Sequence, residues 1–129
     1  MRVPTLMWSP GQIPAGKVCG EIASTLDLLP TIAALTGAEL PAARIDGVSM
    51  VPLLEGVAGA RPREVFFYGT HGVRSGNWKA LRDKKTKKFE LYDLSVDVSE
   101  SHDLANEKPE ILARLQKLVA QHEADLKER

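Results

Sequence analysis

The chain has 129 residues, and its 17 lysines and arginines are matched by 17 aspartates and glutamates, so its formal charge is zero. That balance excludes nucleic-acid binding through bulk positive charge, because such domains carry a clear basic excess. An apolar fraction of 43% with 26% charged residues describes a folded chain rather than a disordered one, and aromatics at 5% leave the core to Leu, Val, Ile and Ala.

The opening residues 1–8 predict a short strand, since Val3, Thr5, Leu6, Met7 and Trp8 are apolar on both faces and Pro10-Gly11 supplies a turn. A strand of that character belongs inside a larger sheet, and its partners are not evident in the chain. The same segment has one basic residue and then a proline, too short an apolar run for a signal peptide or a membrane span. The chain as written is therefore expected to stay where it is made, with no membrane partner. Cys19 is the only cysteine, which excludes an intrachain disulfide and a Cys-based zinc site and predicts a buried free thiol. Asp27 is placed to cap a helix that takes Pro30 in its first turn and stops at Gly37, with Leu28, Ile32 and Leu35 on one face. After a loop holding Pro41 and Asp46-Gly47, Ser49 can cap a short helix ending at Gly56, and residues 57–62 have the composition of a linker.

The second half changes period. Residues 65–68, 73–75, 78–82 and 89–94 are strand-like runs joined by tight turns, so they predict a four-stranded antiparallel meander. Ile111, Leu112, Leu115, Leu118 and Val119 then repeat at helical spacing, predicting a helix over about 109–127 that covers one face of the sheet, with Trp78 and Tyr92 beneath it. The class is α+β, with residues 1–60 as the end of a larger α/β domain (one strand, helices) and 61–129 as a subdomain of sheet plus helix.

The order of short blocks carries a family resemblance. Arg2-Val3-Pro4, Trp8-Ser9-Pro10-Gly11, Asp27-Leu28-Leu29-Pro30-Thr31, Asp46-Gly47-Val48-Ser49 with Pro52-Leu53-Leu54, Val73-Arg74-Ser75-Gly76-Asn77-Trp78-Lys79 and Glu90-Leu91-Tyr92-Asp93-Leu94 follow one another over nearly the whole chain. In this order they resemble the C-terminal portion of the type I sulfatases, members of the alkaline phosphatase superfamily. Val98, where the family usually has Pro, and Asp103, where Asn usually precedes Leu104-Ala105, depart from the pattern.

The resemblance implies sulfate ester hydrolysis by a full-length member, using a formylglycine and a calcium ion. A sulfuryl group needs a strong oxygen nucleophile and a cation to neutralise its nonbridging oxygens. Cys19 lies in Lys17-Val18-Cys19-Gly20, outside the Cys/Ser-x-Pro-x-Arg motif, and Asp27, Asp46, Asp93, Asp97 and Asp103 are scattered along the chain. No catalytic residue, metal site or cofactor is expected here, and the chain alone is expected to be inactive. The implied partner is a missing N-terminal catalytic domain, and the parent is of a family often exported, with its compartment unreadable from this chain.

His71 and Arg74 are the candidate substrate-binding residues, an Arg offering two parallel hydrogen bonds to an anion and a His offering one. The plainer alternatives are a turn residue at His71 and a sheet-face residue at Arg74. His102 and His122 read as surface or helix-face residues, and the run Lys84, Lys85, Lys87 and Lys88 reads as a solvated hairpin tip before it reads as an anionic-polysaccharide or nucleic-acid site. Two other functions stay open: a stand-alone interaction or glycan-binding module, and a fragment of a phosphate or phosphonate ester hydrolase. An unpaired first strand would also favour a homo-oligomer.

Overall fold

In the computed structural model, which describes residues 3–128, regular structure begins at Thr25. The Ser24 hydroxyl accepts from the Leu26 amide while its own amide donates to Asp27 Oδ2 at 2.8 Å, a reciprocal capping box around the tight turn Thr25–Asp27. That turn runs into α1 (Leu28–Thr36), which ends where Gly37 adopts φ 72 and donates back to Ala33. Ser24 is therefore the capping residue, and Asp27, expected in that role, makes no side-chain cap to α1. Ser49 accepts from the Val51 amide at 3.3 Å, but it does not cap α2 (Val51–Leu54) as expected, because the N-cap position falls on Met50 and no side chain caps that helix.

The chain divides into two units, Met1–Arg63 and Glu64–Arg129. Two further expectations for the first unit fail. No strand forms among residues 3–8, where Leu6 is 94% and Trp8 83% exposed; Met1 and Arg2 lie outside the described residues. The physical reason is the one that the sequence exposes: a strand exists only by pairing, and the described residues of this unit contain no other strand. Cys19 is exposed rather than buried, because the irregular segment around it brings no apolar cover. Leu28, Ile32 and Leu35 do share a face of α1, but at 43%, 56% and 50% exposed that face is open, while Pro30, Thr31 and Ala33 are buried.

The second unit is built as expected. Strands β1 (Val65–Phe67), β2 (Gly72–Ser75), β3 (Trp78–Arg82) and β4 (Phe89–Asp93) pair in sequence order, all antiparallel, and α3 (Pro109–Lys127) follows. Val73, Ala80 and Leu91 lie side by side across β2, β3 and β4 and are fully buried together with Leu115 and Val119, one helical turn apart on α3. Each of the larger buried side chains contributes about 2 kcal/mol. Trp78 packs against this cluster as expected, but Tyr92 does not lie beneath α3. It pairs with Lys79, one residue out of phase with Ala80 and Leu91, which turns it to the opposite face. Two further contacts tie α3 to the sheet: Arg82 bridges to Glu123 at 2.8 Å, and His122 stacks flat on Phe67 with ring centres 4.0 Å apart.

The margins of the sheet differ. On β4, the Leu91 amide donates to Asp103 Oδ1 and the Leu91 carbonyl accepts from the Leu104 amide, so the chain itself covers that edge at Leu91. Among the described residues, no such bond reaches the outer edge of β1. No helix among them is long and apolar enough to cross a membrane.

Candidate functional site

Alternation along the strands sends every second side chain away from α3. Register places Phe66, Arg74, Lys79 and Tyr92 as neighbours across all four strands on that outer face. Lys79 is only 5% exposed, and its ammonium meets Glu100 at 2.6 Å and lies 4.9 Å from the centre of the Tyr68 ring. A buried ammonium needs both, since an unpaired charge there would be strongly unfavourable. Glu100 reaches it from a loop in which its own φ is 58, a conformation uncommon outside glycine. Asp97 organises that loop by accepting from the amides of His102 and Ser101 and the hydroxyls of Ser101 and Ser99; led by the His102 amide, these bonds hold its carboxyl below the usual range. The Tyr92 hydroxyl donates to Glu90 Oε2 at 2.8 Å, and burial together with that carboxylate pushes the phenol pKa upward.

Arg74 stands half-buried in this row. Its Nε donates to the Gly76 carbonyl at 3.0 Å, drawing the guanidinium toward the β2–β3 turn and leaving its terminal nitrogens without a hydrogen-bond partner among the described residues. His71 occupies the turn at the other end of β2, its amide donating to the Tyr68 carbonyl and its carbonyl accepting from the Arg82 amide, with its side chain exposed. The two candidates thus flank β2 from opposite ends, about 10 Å apart along the strand. They do not converge on one point.

The carboxylates do not suit a calcium ion, which needs six or more clustered oxygens. Asp27 accepts from the Ser24 and Val48 amides and from Arg63; Asp93 accepts from Ser95; Asp103 accepts from the Leu91 and Ala105 amides. Each of these carboxylates closes a loop or turn. Among the described residues no three His, Cys, Asp or Glu gather into a metal-binding group. The Asp103 contacts also explain why Asp can replace the family's usual Asn, since both amides bond to a single side-chain oxygen that either residue supplies.

In the first unit the sequence blocks converge on a buried polar hub. Asp27 is fully buried, and although burial opposes its charge, Arg63 and the Val48 and Ser24 amides outweigh it and lower its pKa. The Arg63 guanidinium also donates to the Asp46 carbonyl at 3.0 Å. Thr31 donates from Oγ1 to the Asp27 carbonyl and accepts from the Met50 amide at 2.8 Å, pinning the approach to α2 onto α1. Gly47 is required there because a Cβ would stand 2.1 Å from the Leu26 carbonyl oxygen. Sequence reasoning missed Arg63 and the Lys79–Glu100 pair, whose partners lie 36 and 21 residues away and leave no local signal.

Comparison with known proteins agrees with this architecture. The family model for N-sulphoglucosamine sulphohydrolase, C-terminal, matches residues 1–127. Arylsulfatase A of Bos taurus is 47% identical over 88 residues, covering 62% of this chain and 17% of that protein. N-acetylgalactosamine-6-sulfatase of Sus scrofa is 36% identical over 102 residues, covering 75% of this chain and 19% of that protein. The crystal structure of Ps i-CgsB superposes with a TM-score of 0.72 at 27% identity, over 87% of this chain and 26% of that one, and the same protein has been solved in complex with k-i-k-neocarrahexaose. The chain spans about a fifth of the length of these curated relatives.

Proposed function

Because the chain belongs to the N-sulphoglucosamine sulphohydrolase C-terminal family, we propose that it completes the fold of a longer sulfuric ester hydrolase and borders the substrate cleft of that protein. The open face of α1 carries this reading against a stand-alone module. Leu28, Ile32 and Leu35, each 43% or more exposed, form an apolar stripe of the kind that proteins cover with another surface. A catalytic region encoded with this chain is the occupant that the family supplies, and members of this family are often exported.

Formylglycine and calcium belong to full-length members, and the residues present here do not fit either group: Cys19 lacks the flanking motif, and Asp27, Asp93 and Asp103 are engaged in separate loops and turns. The contribution of this chain is therefore to binding. Arg74 offers its terminal nitrogens to an anionic oxygen, and His71 offers one hydrogen bond from the opposite end of β2. Their separation of about 10 Å along the strand supports contacts with different parts of a substrate larger than one sulfate group. Loss of either weakens binding more than the chemical step.

The test uses the longer protein that contains this chain, assayed with para-nitrophenyl sulfate, para-nitrophenyl phosphate and a sulfated oligosaccharide. We expect turnover of sulfate esters by the longer protein and none by the 129-residue chain. On the oligosaccharide, His71→Ala and Arg74→Ala should each raise KM about tenfold with kcat nearly unchanged, the signature of lost uniform binding. Phosphate hydrolysis without sulfate hydrolysis overturns the reaction assignment; unchanged KM in both variants overturns the cleft assignment.

A further inference from the structure

We propose that the β3–β4 hairpin, residues 83–88, is a docking point for a polyanionic polysaccharide, separate from the outer-face row. Lys84, Lys85, Lys87 and Lys88 are all exposed, and none forms an ion pair among the described residues. Taking these four lysines and Asp83 out of totals of 17 and 17 leaves the rest of the chain with three more acids than bases. The tip thus carries a local excess of three positive charges on a chain that is neutral overall, and it attracts anions within a Debye length.

The tip is also held in shape. Asp83 accepts from the Lys85 and Thr86 amides and the Thr86 hydroxyl, its amide donates to the Lys88 carbonyl at 2.8 Å, and its carbonyl accepts from the Lys87 amide at 3.0 Å. These bonds turn the Asp83 carboxylate into the hairpin, and the Thr86 amide and hydroxyl, the largest influences on it, keep that carboxyl below the usual range. Lys87 has φ 60, where glycine or asparagine is the ordinary choice. Placing a lysine there keeps like charges side by side in a strained position, an arrangement that stability alone disfavours.

The chemistry of the partner follows from what the tip lacks. It has no aromatic ring for stacking bases, and the nearest, Phe89, is covered by the Arg82 guanidinium at 4.8 Å. It has no apolar side chain to enter a bilayer. Four point charges on flexible stems suit closely spaced sulfates or carboxylates on a hydrophilic chain. The choice of a polysaccharide rests on the sulfatase reading above; the charge cluster does not.

The experiment measures binding of this chain to labelled dextran sulfate, neutral dextran, poly-adenylate and phosphatidylserine vesicles. Dextran sulfate should bind, neutral dextran should not, and the variant with Lys84, Lys85, Lys87 and Lys88 each changed to Gln should bind about tenfold or more weakly, while Lys117→Gln with Lys127→Gln should bind as the parent does. The parent gives a readout independent of any variant: between about 0.05 M and about 0.2 M salt, log affinity should fall against log salt with a slope near three. Undiminished binding by the hairpin variant, a slope below about one, or equal preference for poly-adenylate or vesicles overturns the proposal. Para-nitrophenyl sulfate carries a single charge and does not engage the tip, so its turnover by the longer protein tests the sulfatase reading separately.

Discussion

Asp27 shows how a residue can be located correctly in the chain and misjudged in role. Read locally, an aspartate before Leu-Leu-Pro is a helix cap; in the folded unit its carboxylate faces the other way and joins Ser24, Val48 and Arg63. The local pattern could not reveal this, because the cation that decides the orientation enters the chain 36 residues later. Its depressed pKa makes stability pH-dependent. The contribution is complete above the ordinary carboxyl value of 3.8 and is lost as pH falls through the lower folded-state value. Acid melts followed by circular dichroism should show the parent losing stability below that point and Asp27→Asn showing a flatter profile. Arg63→Ala, which strands a buried carboxylate, should cost about 3 kcal/mol in urea unfolding at neutral pH. A loss well under 1 kcal/mol would mean that the pair is no more than a surface contact.

Among the elements, those fixed by periodicity were legible and those fixed by a neighbour were not. The helix over about 109–127 is α3 (Pro109–Lys127), and the four strand runs agree with the observed strands to within one residue, since each writes its pattern into consecutive side chains. The first strand fails for the opposite reason, as no local pattern can provide a pairing partner. The outer-face row was legible only as alternation, which puts Arg74 on a sheet face, whereas the burial of Lys79 depends on a loop residue in an unusual backbone conformation. At the junction of α1 with the loop before α2, Gly47→Ala would force a Cβ against the Leu26 carbonyl. The expected loss is about 1–3 kcal/mol, read as a lowered melting temperature. An unchanged melt would show that this junction opens freely.

For the whole molecule, the family could be read from the order of its blocks, while the substrate could not, because the chain holds about a fifth of the relatives' length. The apolar stripe on α1 also predicts the behaviour of the isolated chain. With Leu28, Ile32 and Leu35 open to solvent, it should self-associate at high concentration, and Leu28→Gln with Ile32→Gln should shift light scattering toward monomer without lowering the melting temperature. Scattering that stays the same in that variant would place the association elsewhere.

The unequal margins of the sheet set a limit on the ways in which such units can join. Asp103 and Leu104 occupy the β4 side at Leu91, whereas among the described residues no such bond reaches the outer side of β1. Two copies meeting β1 to β1 would pair the margins on which no such bond is present among the described residues. Strand addition is thereby directed toward β1, because a strand arriving at β4 would have to displace Asp103 and the Leu104 amide from Leu91.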